Sequence, residues 1–124
     1  MKKSFDDSIV EGDPFLDLPP RVQLLYFHLM MKTDTEGFIR GVKYTSQRIS
    51  GEKNWKSDLQ TLIDGGYIHM IHDNTYGDIY VISHYWANMK RDNAVVSKSP
   101  TLFQDAKSKL IVDEEAKVYR IRQN

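Results

Sequence analysis

Cysteine is absent from the 124 residues, which excludes disulfides, Cys-ligated zinc, iron–sulfur clusters and thiol catalysis together. A chain of this kind is at home in a reducing compartment, and a cytoplasmic location is expected. An excess of either charge is also lacking, since seventeen Lys+Arg stand against seventeen Asp+Glu. No global field holds the molecule on nucleic acid or on an anionic membrane, so any electrostatic site is local. No apolar run approaches the ~20 residues of a membrane span. Met1-Lys2-Lys3 meets Asp6 and Asp7 before any apolar stretch, so neither a targeting peptide nor a membrane partner is expected.

Catalytic signatures are equally scarce. The chain has no Gly-rich phosphate loop, no H-E-x-x-H, no nucleophile elbow and no carboxylate pair in an apolar setting. An enzyme is not expected, and no cofactor or metal is assigned. His69 and His72 are three apart on an expected strand and so point to opposite faces. Together with His84 they read as structural or solvent-facing groups.

What is present suffices for one ordinary core: 40% of the 14.5 kDa chain is hydrophobic. Charge is distributed in blocks. Residues 1–20 and 61–84 are each acidic by three, whereas 21–60 and 85–124 are each basic by three.

Leu18-Pro19-Pro20-Arg21 opens the first strong helix, because a first turn tolerates the missing proline N–H. Val22, Leu25, Tyr26, Leu29 and Met30 then follow the spacing of one buried face. Leu24, Phe27 and Met31 form a second apolar set nearly opposite, as in a central core helix or in one that also meets the C-terminal segment or a second subunit. A homo-oligomer, at least a dimer, is expected. Thr33–Gly37 breaks the helix, Phe38–Gly41 is a short extended piece, and Tyr44–Ile49 a short amphipathic helix. Asn54 is expected to cap a helix running to Ile63, with Trp55, Leu59, Leu62 and Ile63 inward and Gly65-Gly66 as its left-handed stop. Tyr67–His72 and Ile79–His84 read as a β-hairpin with a protruding loop over 73–78. Residues 103–112 suggest a short helix and 115–122 an extended piece.

This order gives the expected fold class: α+β, a winged helix-turn-helix with a three-helix core and a β-hairpin wing, plus a C-terminal extension. The expected domain organisation is a winged-helix domain over 1–86 and a basic, partly ordered extension over 87–124. Other α+β layouts share the order.

A helix-turn-helix presents its last helix to the major groove, where amide, hydroxyl and cationic side chains bond base edges and phosphates. Lys53, Asn54, Lys56, Ser57, Gln60 and Thr61 are of that kind. Lys43, Tyr44, Ser46, Gln47 and Arg48 on the preceding helix would lie along the DNA backbone. Asn74 and Tyr76 at the wing tip and the Lys90-Arg91 step are further candidates. Asp58 and Asp64 place acid on or beside the same face, and the hairpin has no lysine or arginine. The residues alone leave open both DNA binding and a solvated polar face.

Five stretches in register carry a resemblance. Asp13-Pro14-Phe15-Leu16-Asp17-Leu18-Pro19, Gln23–Leu29, Asp34-Thr35-Glu36-Gly37-Phe38, Leu62–Ile68, and Val81–His84 with Trp86 and Asn88 resemble the N-terminal winged-helix domain of phage replisome organizers. That domain is similar to the one in DnaD-type primosome proteins, and the likeness covers about residues 4–103. It implies a role in starting phage or prophage replication, with the winged helix recognising double-stranded origin DNA. A separate C-terminal region of the family recruits the replicative helicase or its loader. Here Asp92 is followed by Asn93 where the family has Asp-Arg. The chain ends at Asn124, so a truncated piece or a stand-alone DNA-binding module is expected, and the loader function is not carried over. Two further readings remain: a protein-interaction or self-association module, favoured by the neutral charge, and a transcriptional regulator, which shares the DNA chemistry.

Overall fold

The N-terminal residues, which have no strong periodicity, fold against the first long helix through aromatic side chains. Asp6 accepts from the Ser8 amide at 2.8 Å and caps α1 (Asp7–Val10). Phe15 of α2 (Asp13–Leu16) meets Tyr26, Phe27 and Tyr67 edge-on at 5.3, 5.6 and 5.6 Å. The computed structural model describes residues 3–89 and 101–123 of this mixed α+β chain.

α3 (Pro20–Met31) starts at its proline, and Val22, Leu25, Tyr26, Leu29 and Met30 are all buried, as their spacing requires. α4 (Val42–Ser50) and α5 (Trp55–Asp64) pack on it and on each other. Leu59 and Leu62 of α5 share the core of Leu25, Tyr26 and Leu29, while Trp55 and Ile63 lie half-buried at its edge. α5 ends in a Schellman motif: the Gly66 amide bonds Ile63 O at 3.0 Å, the Tyr67 amide bonds Leu62 O at 3.0 Å, and Gly66 has φ +80°.

β1 (Ile68–Asp73) and β2 (Gly77–Ile82) pair antiparallel from Ile68 opposite Ile82 to Asp73 opposite Gly77. The protruding loop expected between them is only Asn74-Thr75-Tyr76. Asp73 Oδ2 closes it by accepting from the Thr75 and Tyr76 amides at 2.9 and 3.0 Å. The extended piece at Phe38–Gly41 adds to this sheet, with Phe38 bridged to Val81 and the Ile39 amide bonded to Tyr80 O. Gly37, at φ +94°, lies so close to Tyr85 that an added Cβ would sit 2.6 Å from the ring carbon Cγ.

After α6 (Tyr85–Asn88), the described chain resumes with α7 (Gln104–Lys107) and a second antiparallel hairpin, β3 (Leu110–Asp113) and β4 (Val118–Ile121). Residues on both sides of position 86 share one core. Ala106, Leu110 and Tyr119 are buried in the same cluster as Phe38, Val81 and Trp86. The Tyr119 hydroxyl donates to Glu36 O at 2.7 Å, and the Lys107 ammonium lies 2.9 Å from a fully buried Glu36 carboxylate oxygen. That contact satisfies the distance of an ion pair without the direction of a hydrogen bond. α7 and β4 fall within the short helix expected over 103–112 and the extended piece expected over 115–122, but residues 110–112, expected to be helical, form β3, which pairs with β4. No helix among the described residues is long and apolar enough to cross a membrane.

Candidate nucleic-acid interface

The candidate surface consists of α4, α5 and the connection Gly51–Asn54. Gly51 O accepts from the Asn54 and Trp55 amides at 3.3 and 3.1 Å, so the backbone of the connection starts the turn into α5. Asn54 stands at the cap position with φ −113° and ψ −11°, and its side chain makes no capping bond. The expected side-chain N-cap is therefore absent. The Asn54 carbonyl instead accepts from Asp58 N and Ser57 Oγ.

Most of the expected residues are exposed on α4, α5 and the connection between them. Lys43, Tyr44 and Arg48 of α4 are exposed, as are Lys53, Asn54, Lys56, Ser57 and Gln60; Gln47 and Thr61 are half-buried. Ser46 is a correction. It is fully buried, because Val42, Thr45, Ser46, Ile49 and Ser50 form the inward face of α4, and its three hydroxyl residues stand where an apolar stripe would be sought. Several surface side chains are held by neighbours: Gln47 donates to Glu52 at 2.9 Å, Gln60 to Asp64 at 2.8 Å, and Thr61 to Ser57 O at 2.9 Å. Arg48 lies 3.4 Å from His28 Nδ1.

Of the two acids expected on or beside this face, Asp58 is removed from it and Asp64 stays exposed. Asp58 is turned inward, 4% exposed, and gripped by Arg21 through Nε at 2.5 Å and Nη2 at 3.0 Å. The guanidinium hydrogen bonds hold its carboxyl below the usual aspartate range, and the same pairing raises Arg21. Sequence reading missed Arg21, which stands 37 residues from its partner. The signal available was an aspartate at the inner edge of the α5 apolar face.

The hairpin tip is differently disposed. Asn74 bonds Asp105 through its amide nitrogen at 2.8 Å and its side chain at 3.1 Å, and Tyr76 packs edge-on against Phe103 at 5.1 Å. Asp73 Oδ1 accepts from the Ala106 amide, and Lys109 donates to His72 O. The start of the C-terminal segment thus engages the tip that was expected to face DNA. Lys90 and Arg91 lie outside the described residues.

The histidines are dispersed. His69 Nε2 lies 2.8 Å from Tyr119 O, His72 Nδ1 3.3 Å from Asp78, and His84 is half-buried, with burial lowering its pKa. His69 and His84 border an open groove of about 1000 Å³ beside β4, whose Arg120 pairs with Asp113. No family model, curated protein or solved structure matches the chain.

Proposed function

We propose that the chain is a DNA-binding winged helix of the phage replication-initiation kind. In this reading α3, α4 and α5 are the three-helix core, α4–α5 the helix-turn-helix and β1–β2 the wing. The four-residue, glycine-containing connection between α4 and α5 supports the assignment. The observation that carries it is the inward turn of Asp58 onto Arg21. With that carboxylate withdrawn, exposed Lys43, Arg48, Lys53 and Lys56 outnumber exposed Glu52 and Asp64 on α4–α5, in a chain of zero net charge. A local cationic surface with amides and hydroxyls among its charges suits a double-stranded polyanion. Because the hairpin tip is engaged by Asp105 and Phe103, the proposed contact runs through α4 and α5 rather than the wing. The resemblance to replisome organizers supplies the replication role; a transcriptional regulator would use the same surface on a different site.

Fluorescence anisotropy with an origin-region duplex and a scrambled duplex, at two salt concentrations, tests this reading. Saturable binding that weakens with salt is expected, and no binding to either duplex at low salt rejects it.

A second reading, self-association, rests on α3. Phe27 is half-covered within the chain by Phe5 and Phe15, and Leu24 and Met31 remain 47% and 55% exposed. Sedimentation at high protein concentration tests it, and a monomer there rejects it.

A further inference from the structure

Where α5 and the β1–β2 hairpin diverge, they leave a narrow groove beside the proposed DNA surface. One face of the hairpin passes from core to solvent along its length: Ile68 opposite Ile82 is fully buried, Met70 opposite Tyr80 is partly covered, and His72 opposite Asp78 is open. At the middle pair the face and Trp55, Leu59 and Ile63 of α5 line an open groove of about 250 Å³. That is below the roughly 300–1,000 Å³ of drug-sized sites, and it is room for one planar ring. Among the residues lining it, Lys56 is the one charged group, with its ammonium 5.6 Å from the centre of the Trp55 ring. Gln60, already on the proposed base-reading face, stands at the rim.

We propose that this groove receives one unpaired nucleobase of a DNA strand, set against Tyr80 and Trp55, with the attached phosphate toward Lys56. The inference rests on the DNA reading above and names a second element of the same ligand. Two aromatic side chains and a thioether offer stacking and apolar contact to any base, and the cation answers the backbone charge. A paired base would first have to leave its stack, so a base already unpaired enters most readily. A second protein copy is a poorer occupant, because seven lining residues fall far short of the roughly 800 Å² per partner of a stable interface. A duplex held by α4–α5 would then be gripped more firmly where it has begun to open.

Trp55 is the natural reporter, since the other tryptophan, Trp86, is fully buried. The full chain is titrated with a ten-nucleotide oligothymidylate, a blunt duplex, and the same duplex carrying one unpaired thymidine. Quenching of Trp55 by the single strand is expected, with tighter binding of the bulged duplex than of the blunt one. Tyr80→Leu should weaken the single strand about 5- to 100-fold and leave the blunt duplex unchanged. Met70→Trp, at a 48% exposed position, should fill the groove and give the same loss by anisotropy. Blunt-duplex binding without quenching by the single strand, or equal losses on both ligands, overturns the groove while leaving the duplex reading intact. Quenching by the single strand without duplex binding retains the groove and removes the duplex reading. A change in Trp55 fluorescence with protein concentration alone assigns the groove to a second copy and overturns the proposal.

Discussion

The side chain of Asn88 donates to the Tyr26 hydroxyl at 2.7 Å across 62 residues of sequence, and both groups are fully buried. Asn88 also accepts the Asp6 amide on its side-chain oxygen at 2.9 Å and the Ser4 hydroxyl on its carbonyl. One residue thus ties the N-terminal segment to α3 and α6. Burial, opposed in part by the Asn88 bond, pushes Tyr26 up to about 12, so its hydroxyl stays protonated across the physiological range.

Replacing Asn88 with Leu leaves the Asp6 amide and the Tyr26 hydroxyl without these partners and should cost about 1–3 kcal/mol. Tyr26→Phe removes a single hydroxyl and should cost less. Urea unfolding curves of the two variants give the comparison.

Arg21→Ala strands the Asp58 carboxylate at the inner edge of α5. Because the folded state holds the Asp58 pKa below its unfolded value, the pair stabilises the fold at neutral pH. That contribution is present above the unfolded aspartate pKa, near 3.9, and is lost as pH falls through the lower folded value. The stability gap between wild type and Arg21→Ala should therefore be widest near pH 7 and close in strong acid. A gap that does not narrow in chemical denaturation between pH 7 and pH 2 contradicts this.

The Lys107–Glu36 contact joins α7 to the loop after α3. Lys107→Met should cost up to about 3 kcal/mol, the lower end for breaking a buried pair, because Lys107 is a quarter exposed. Adding Glu36→Gln should restore part of the loss by removing the buried charge. Thermal melts of the single and double variants show whether stability returns.

On DNA, Arg48→Ala should weaken specific and random duplexes alike and reduce the salt slope by about one unit. Gln60→Ala should cost about 1–3 kcal/mol on the preferred sequence and little on random DNA. To reach a base, Gln60 must first release Asp64, so Asp64→Ala should tighten binding. Equal effects of Gln60→Ala on both duplexes exclude base reading by this side chain.

α3, α5 and the first hairpin were legible because their apolar residues repeat at 3.6 or 2 and because Pro20 and Gly66 mark real ends, whereas α4, with hydroxyls on its inward face, was read two residues short at its start. Phe27 was legible as needing cover, but its cover comes from Phe5 and Phe15, ahead of it in sequence. Of the four-residue elements, α7 and β4 were read only as part of longer pieces, and β3 was read as helix. Their positions are set by distant contacts such as Tyr119 on Glu36. Of the candidate interface, exposed Lys43, Arg48, Lys56 and Gln60 could be read from helix phase. Ser46 could not, because hydroxyls on α4 occupy inward positions, and neither could the withdrawal of Asp58, which depends on an arginine in another helix.

The bond from Tyr119 to Glu36 also orders events during synthesis. A ribosome adding about 5–20 residues per second delivers α4 and α5 well before β4. Until β4 arrives, Phe38, Val81 and Trp86 lack the aromatic ring that shares their buried cluster. The helices α4 and α5 of a nascent chain are therefore complete before the part of the buried cluster that β4 supplies.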